Sequence, residues 1–391
     1  MKLLLIPSQY PASAKDPTGI FVRDQARALA LRHDVTVIQP RLLTPRAWLR
    51  RSMHSAARSS ESSAGVPRDV REITIVIPNL TNRLQGLTHR LWRNRVTARA
   101  AGWVNDGTIP RPDVVHAHVV RPAGAAAITL ARYWKAKSVL TEHSGPFSVH
   151  LRTDALRQST HATLRQFDAV VAVSPFLEAE IRSVFSDLTP KVVGNVVDET
   201  FFVPGPADYV RVPGQPFRFL FVGGLTWHKG VDVLLAAAAR LRDQGVNDWQ
   251  LVIVGDGPDR TSLEKQIAAL RLQPNVTMEG SQPRDVVRAW IRSADALVQP
   301  SRIETFCVVL IEAMACGVPV IATDSGGPSW IVRPENGNLV PVGDSGALAN
   351  AMASMRQERT PFDPRLIRSC IISRFGRVAW LNEIEKVYAG L

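Results

Sequence analysis

Short apolar runs of strand length alternate with helix-length stretches along almost the whole chain, and this alternation most constrains its fold. In the first half, strands are predicted at residues 2–6, 35–39, 113–118, 138–141 and 168–173. Helices are predicted between them at residues 19–32, 123–132 and 175–185. A strand–helix–strand order repeated in this way is typical of a parallel sheet with helices on both faces. The pattern therefore predicts an α/β fold.

The alternation is interrupted once, near the middle of the chain. Proline and glycine cluster at residues 204–216 without apolar periodicity, which is typical of a connecting segment. Strands and helices then resume at residue 217 and continue to a strand at 318–322. Because 391 residues exceed one ordinary hydrophobic core, we expect two domains, residues 1–203 and 204–375.

Composition and the N-terminal residues indicate the compartment. The three cysteines are an odd number and form no disulfide framework, which favours a reducing environment. The apolar run that follows Lys2 is interrupted by Pro7, too soon for a signal peptide. No apolar run approaches the roughly 20 residues that span a bilayer. We therefore expect a cytoplasmic protein.

Positive charge is concentrated in one segment. The formal net charge is +12, and residues 41–100 contain twelve arginines against three acidic residues, which leaves +9 in that segment. Such a cluster indicates an anionic partner: a membrane surface, nucleic acid or a phosphorylated substrate. The alternative is an ordinary solvated surface rich in arginine.

Two glutamates lie on either side of a predicted helix start. Glu304 follows Pro300 and Ser301 in a loop, and Glu312 lies inside a helix predicted at 307–315. The first amides of a helix have no acceptor within it and can bind phosphate oxygens. Carboxylates before and inside the helix could then bind hydroxyl groups on either side of a phosphate. Taken alone, this spacing is more often an ordinary helix with a surface glutamate.

The neighbouring residues change that interpretation. Residues 304–327 read ETFCVVLIEAMACGVPVIATDSGG, residues 220–230 read LFVGGLTWHKG, and residues 251–258 read LVIVGDGP. These motifs, in this order, closely resemble the retaining glycosyltransferases of family 4. Looser matches follow in the N-terminal half, including GIFVR at 19–23, HAH at 116–118 and TEH at 141–143. The resemblance spans nearly the whole chain apart from residues 41–100.

The resemblance implies the GT-B fold, in which two Rossmann-like β/α/β domains face each other across a cleft. Residues 1–203 would then be the acceptor-side domain and 204–375 the domain that binds a nucleotide-sugar donor. The closing segment, 376–391, would return as a helix to the first domain.

The resemblance also implies the roles of individual residues. Glu312 would bind the ribose hydroxyls of the donor, Glu304 would lie beside the transferred sugar, and Lys229 would neutralise the departing phosphate. His118 would act near the donor sugar and acceptor, whereas His116 is interpreted as structural. The implied catalytic residues are therefore His118, Glu304 and Lys229. The implied donor-binding residues are Gly19, Gly223, Gly224, Lys229, Glu304, Phe306, Cys307, Val308 and Glu312.

One position departs from the family pattern. The family commonly has an arginine five positions before the lysine, and this chain has Gly224 there. One of two expected phosphate-binding cations is missing. Either another arginine replaces it, or donor affinity or activity is reduced.

No cofactor and no metal site are expected. His116, His118, Glu142 and His143 lack metal-ligand spacing, and GT-B enzymes do not generally need a metal for catalysis.

The implied reaction is transfer of a sugar, with retained configuration, from a UDP- or GDP-type donor to a hydroxyl of a glycan or lipid-linked acceptor. One alternative is a nucleotide-sugar epimerase of the same fold, which would need no acceptor. Another is a basic nucleic-acid-binding protein, but only Trp48 and Trp92 accompany the arginines of 41–100, so no stacking platform is predicted. No nucleic acid partner is therefore expected.

The basic segment also contains apolar residues at helical spacing, at 45–58 and 80–103. In the second stretch Leu84, Leu87 and Leu91 recur among the arginines 83, 90, 93 and 95. Basic amphipathic helices bind anionic membrane surfaces, so the segment predicts peripheral binding to the inner face of the membrane. The alternative is that the leucines pack into the core of their own domain.

Overall fold

The chain forms two compact units. The structure, a computed structural model, describes residues 1–391 except 14–15, 17, 44–69, 79–84, 206–213, 247 and 358–361. Unit 1 comprises Met1–Val196 with Trp380–Leu391, and unit 2 comprises Val197–Ala379. The limits expected from the sequence, 203/204 and 375/376, lie a few residues from these.

Unit 1 is built on a seven-stranded sheet of order β3-β2-β1-β4-β5-β6-β7, in which every pairing is parallel. The strands are β1 (Lys2–Pro7), β2 (Asp34–Leu43), β3 (Arg71–Pro78), β4 (Val114–His118), β5 (Lys137–Glu142), β6 (Ala169–Ala172) and β7 (Lys191–Val192). Its helices are α1 (Ile20–Leu29), α2 (Gln85–Asn105), α3 (Ala125–Trp134), α4 (Asp154–Leu164) and α5 (Pro175–Val184). The central strands are nearly continuous buried runs because helices cover both faces of a parallel sheet.

The C-terminal helix completes the core of unit 1. This helix, α13 (Arg377–Ala389), packs Trp380, Leu381 and Ile384 into a cluster with residues of β1, β2 and α1. The indole nitrogen of Trp380 donates to the Gly194 carbonyl at 2.8 Å. Apolar residues at three- and four-residue spacing therefore bring the last helix of the chain back to the first sheet.

Unit 2 is built on a six-stranded parallel sheet of order β10-β9-β8-β11-β12-β13. Its strands are β8 (Phe217–Val222), β9 (Trp249–Val254), β10 (Val276–Gly280), β11 (Ala296–Gln299), β12 (Val320–Thr323) and β13 (Gly337–Val340). Its helices are α6 (Val231–Asp243), α7 (Arg260–Ala269), α8 (Arg284–Ser293), α9 (Val308–Ala315), α10 (Gly327–Ile331), α11 (Ser345–Gln357) and α12 (Pro364–Phe375).

Two glycine-containing loops of unit 2 lie directly against each other. Gly255 has φ of 143°, and a Cβ atom there would lie 1.9 Å from the Gly223 carbonyl oxygen. Only glycine permits this approach. The GDGP turn after β9 therefore supports the Gly223 loop after β8.

The sequence analysis did not predict three strands and four helices: β3, β7, β13, α4, α10, α11 and α12. β3 lies at the edge of its sheet, and its residues are mostly half-exposed or exposed. The basic helix predicted at 80–103 is observed as Gln85–Asn105. The other, at 45–58, and Leu84 lie outside the described residues.

Candidate functional site

The N-terminus of α9 forms the centre of the candidate site in unit 2. The helix begins at Val308, one residue later than predicted, because Cys307 adopts a left-handed conformation with φ of 77°. In the described part of the chain, the amides of Phe306, Cys307 and Val308 donate to no acceptor. A helix N-terminus with free amides attracts anions through these donors and through the helix dipole.

Glu304 is fixed beside this helix N-terminus by the strand-like pairing of its backbone. Its amide donates to the Ser325 carbonyl at 2.9 Å, and its own carbonyl accepts from the Gly327 amide at 2.7 Å. The Ser301 hydroxyl donates to Oε1 of its carboxylate at 3.0 Å. The side chain is largely buried, so its carboxylate has a defined position.

Lys229 contacts this carboxylate directly, with Nζ 2.5 Å from Oε1 of Glu304. Lys229 ends the short helical turn Trp227–Lys229 after β8, and Gly230 follows it with φ of 69°. A Cβ atom at Gly230 would lie 2.0 Å from the Pro300 carbonyl oxygen, so glycine lets this turn approach the loop that carries Glu304. Burial would lower the pKa of Lys229, but the Glu304 carboxylate more than offsets it and raises this pKa. Lys229 is therefore a fixed cation.

Glu312 lies on the first turns of α9 and is paired with a residue that the sequence did not single out. Arg284, at the start of α8, has a guanidinium nitrogen 3.4 Å from Oε1 of Glu312. The guanidinium carbon lies 5.1 Å and 4.9 Å from the ring centroids of Phe201 and Phe202. This stacking limits the orientations of Arg284, and Arg284 in turn orients the Glu312 carboxylate.

Position 224 has room for a side chain. Among the described residues, a Cβ atom on Gly224 would have only the Asp256 carbonyl oxygen within 4 Å, at 4.0 Å. Two nearby arginines pair with carboxylates: Arg302 with Asp232 at 2.7 Å, and Arg260, at the start of α7, with Glu264 at 2.9 Å.

A groove of about 340 Å³ lies next to the Trp227–Lys229 turn. Its lining includes Asp232 and Asp259. Arg302 neutralises Asp232, but Asp259 would repel a diphosphate, so this groove is a poorer phosphate site than the N-terminus of α9.

In unit 1, His118 lies at the carboxyl end of β4 within a buried histidine cluster. Its Nδ1 atom is 3.2 Å from Nε2 of His143, and its Nε2 atom has no hydrogen-bond partner among the described residues. Burial, with smaller effects of His116 and His143, lowers the pKa of His118 well below its usual value. His118 is therefore a neutral imidazole with one unused nitrogen.

His116 differs from His118 because both of its nitrogens have partners. Nδ1 lies 2.7 Å from the Tyr388 hydroxyl of α13, and Nε2 lies 2.8 Å from the Thr141 hydroxyl. Burial lowers its pKa to about 3. These contacts join β4, β5 and α13, which supports the structural interpretation of His116.

The predicted site residues divide between the two units. Gly19 and His118 lie in unit 1, where Gly19 precedes α1 and a Cβ atom on it would touch the Gln9 carbonyl at 2.4 Å. Those in unit 2 are Gly223, Gly224, Lys229, Glu304, Phe306, Cys307, Val308 and Glu312. The sequence missed Arg284 and Ser301 as partners of the two glutamates. Ser301 could have been predicted as a partner from the sequence, because it lies in the same loop as Glu304.

Family comparisons agree with this architecture. The pattern of the family described as Glycosyl transferases group 1 matches residues 209–368, and that of Glycosyltransferase Family 4 matches residues 18–201. The chain therefore belongs to glycosyltransferase family 4 and has the GT-B fold. The range of the second match includes residues 41–100, the segment in which the sequence shows no motif of the family.

Three individual proteins illustrate this similarity. The chain is 29% identical over 373 residues to a putative teichuronic acid biosynthesis glycosyltransferase of Bacillus subtilis, covering 92% of this chain and 90% of that protein. It is 38% identical over 185 residues to a GDP-mannose-dependent alpha-mannosyltransferase of Mycolicibacterium smegmatis, covering 46% of each. Among solved structures, Anabaena HepE in complex with UDP matches with a TM-score of 0.73 at 20% identity and full coverage of both chains.

No helix within the described ranges combines the length and the apolar character needed to cross a membrane.

Proposed function

We propose that the protein transfers a sugar, with retained configuration, from a nucleotide-sugar donor of the UDP or GDP type to a hydroxyl of a glycan or lipid-linked acceptor. The observation that carries this proposal is the Lys229–Glu304 pair beside the open N-terminus of α9. It places a fixed cation, free amides and a carboxylate together. UDP in the HepE structure and the GDP-mannose dependence of the mannosyltransferase support a nucleotide-linked donor.

The site would act chiefly by stabilising the leaving group. As the bond between sugar and diphosphate breaks, negative charge grows on the diphosphate. The Lys229 ammonium group and the amides of Phe306, Cys307 and Val308 would stabilise that charge from fixed positions. These groups belong to the chain itself, so we propose that no metal or cofactor is required.

The two glutamates would orient the donor on either side of the phosphates. Glu304, fixed by Ser301 and Lys229, would accept hydrogen bonds from hydroxyls of the transferred sugar. Glu312, held by Arg284, would accept them from the ribose. The acceptor hydroxyl would attack from the face that the diphosphate leaves, with a phosphate oxygen taking its proton.

His118 would contribute as a neutral hydrogen-bonding group. Its lowered pKa keeps it uncharged at neutral pH, and its Nε2 atom is unused within the described structure. In this state it can donate to or accept from a sugar hydroxyl.

The test is a turnover assay with UDP- and GDP-sugars, with and without candidate glycan and lipid-linked acceptors. We expect free nucleoside diphosphate to accumulate only when an acceptor is present, and NMR to show the donor's anomeric configuration in the product. Conversion of the donor sugar without an acceptor would instead indicate an epimerase. Loss of turnover with EDTA that Mg²⁺ restores would refute the metal-independent site.

One variant and a matched control separate the effect of Glu304 on turnover from its effect on donor binding. Glu304→Gln keeps the shape of the side chain but removes the charge that orients Lys229, so it should lower kcat more than donor affinity. Glu264→Gln, in an exposed pair with Arg260, is the matched control and should change neither. Equal kcat in Glu304→Gln and wild type would contradict the role of Glu304.

We also propose peripheral binding to anionic membranes through α2. Leu87 and Leu91 are 46% and 38% exposed, whereas Trp92 and Val96 are buried. The alternative, that these two leucines pack into the core, is therefore wrong. On a helix of 3.6 residues per turn, Leu87 and Leu91 form an outward stripe, which the exposed Arg90 flanks on one side and the exposed Arg95 on the other.

Co-sedimentation with vesicles tests the membrane proposal. Binding to phosphatidylglycerol vesicles should exceed binding to phosphatidylcholine vesicles and should decrease as salt rises. Arg90→Glu combined with Arg95→Glu should reduce binding. Arg132→Glu, an exposed change on α3, should have a smaller effect. Protein that stays in the supernatant with anionic vesicles at low salt would exclude this mode of binding.

A further inference from the structure

Arg121 is a half-buried cation that the proposed reaction has not used. It lies three residues after His118, in the irregular helical segment Val120–Gly124 that follows the carboxyl end of β4. Its guanidinium donates to the Ser159 hydroxyl at 2.8 Å. Within the described part of the chain, no carboxylate pairs with it. A partly buried charge without a counter-charge carries a desolvation cost, so an anionic ligand would be bound favourably here.

The backbone that presents Arg121 is held in place from several sides. The Ser8 hydroxyl donates to the Val119 carbonyl at 3.0 Å and accepts from the Ala123 amide at 3.1 Å. The Val120 amide donates to the buried Glu142 carboxylate at 2.9 Å. Val119 itself has φ of 66°, a strained value for a β-branched residue. The position of Arg121 is therefore fixed by β1, β4 and β5.

A second basic group lies beside Arg121. His89, on the first turns of α2, is half-buried, and α2 packs against the segment that carries Arg121. Burial lowers the pKa of His89, and the positive charge of Arg121 lowers it further. The imidazole of His89 and the guanidinium of Arg121 therefore lie near each other, and among the described residues no acid pairs with either.

The location also favours a ligand. Ser159, the partner of Arg121, is the middle residue of α4, and His89 lies on the second turn of α2. Ligands of open parallel sheets bind beyond the carboxyl ends of the strands, and Arg121 lies beyond β4 at that edge.

We propose that Arg121 and His89 form a subsite for an anionic group of the acceptor, either a phosphate or a sugar carboxylate. This inference rests on the proposed function, because it assumes that unit 1 receives the acceptor. It narrows the acceptor class to molecules with an acidic group near the hydroxyl that receives the sugar. Arg121 would form charge-assisted hydrogen bonds with that group, and the ring N–H of neutral His89 would add a second donor.

The experiment measures binding of three probes to the full chain saturated with UDP or GDP, whichever binds. Glucose 1-phosphate carries a phosphate, glucuronate carries a carboxylate, and glucose is neutral. We expect one or both acidic probes to bind more tightly than glucose. Arg121→Gln should weaken that binding at least tenfold, and Arg121→Lys should restore part of it. Arg132→Gln, an exposed change on α3, is the matched control and should leave it unchanged.

Each outcome decides the inference. Binding of glucose 1-phosphate alone assigns the subsite to a phosphate, and binding of glucuronate alone assigns it to a sugar carboxylate. Equal binding of all three probes, or acidic probes that bind Arg121→Gln as tightly as wild type, would overturn the subsite. Nucleotide affinity should be the same in all variants. If no nucleotide binds the wild type, the donor site itself fails, which is a distinguishable result.

Discussion

Three buried neutral histidines should make unit 1 sensitive to acid. Burial lowers the pKa of His116 to about 3 and that of His143 to about 4, and it lowers the pKa of His118 well below 6.5. In the unfolded chain each would titrate near 6.5. Below that pH the unfolded state binds protons that the folded state does not, so stability decreases as pH falls from about 6.5 towards 4.

The magnitude follows from the distance between pH and the unfolded pKa. At pH 4.5, two units below 6.5, each histidine that stays neutral in the folded state removes about 2.7 kcal/mol of unfolding free energy. Three such groups would remove roughly 8 kcal/mol, which is comparable to the whole stability of a typical domain. Glu142 does not contribute in this range. Burial would raise its pKa, but His150 and the amides of Val120 and Ser144 lower it to about 2, so its stabilisation is lost only below about pH 4.5.

The assay is urea unfolding at pH 7.0 and pH 4.5, with limited proteolysis and peptide mapping to identify the transition of unit 1. Between pH 7.0 and pH 4.5, the free energy of unfolding of His118→Leu should decrease by about 2.7 kcal/mol less than that of wild type, because the variant lacks one of the three histidines. His118→Gln provides the same comparison if the leucine variant folds poorly. A wild-type unit 1 that is equally stable at both pH values, or variants that lose as much as wild type, would refute the reasoning.

Two further predictions concern the donor site. Gly224→Arg places a second cation at a position where, among the described residues, a Cβ atom would have only the Asp256 carbonyl oxygen within 4 Å. This variant should tighten nucleoside diphosphate binding by roughly tenfold or more, the value expected from about 1.5–3 kcal/mol for a hydrogen bond to a charged group. The control Gly224→Gln should not tighten it. Calorimetry checks this, and unchanged affinity in Gly224→Arg would show that the diphosphate does not lie there. Arg284→Gln removes the partner of Glu312 and should weaken nucleotide binding, whereas the control Arg260→Gln, on α7, should not. Equal nucleotide affinity in the two variants would mean that Arg284 does not position Glu312.

The alternation of apolar runs predicted most strands because a parallel sheet buried on both faces leaves little ambiguity in its central strands. β3 was missed although it carries a strand signal: residues 73–77 read ITIVI, a run of β-branched residues typical of a strand. The helix at 307–315 was predicted one residue too early because a left-handed residue such as Cys307 leaves no simple trace in a sequence.

The partners of the site residues could not be predicted because they depend on tertiary packing. His116 contacts Tyr388 across 272 positions of sequence, and Glu312 meets Arg284 from another helix. The motifs indicated the candidate site residues, but only the fold shows which charges lie beside them. The same applies to Arg121, because the lack of a paired carboxylate among the described residues is a property of its surroundings and not of its sequence context.

The measurement that tests the central claim most directly is calorimetric titration of UDP and GDP into wild type, Glu312→Gln and the control Glu264→Gln. If the donor nucleotide is held at the N-terminus of α9, at least one of the two should bind wild type and the control equally. Glu312→Gln should then weaken that binding by roughly tenfold, the value expected from about 1.5 kcal/mol for one hydrogen bond to a charged group. Absence of binding to wild type, or equal affinity in Glu312→Gln, would contradict a donor site at this helix.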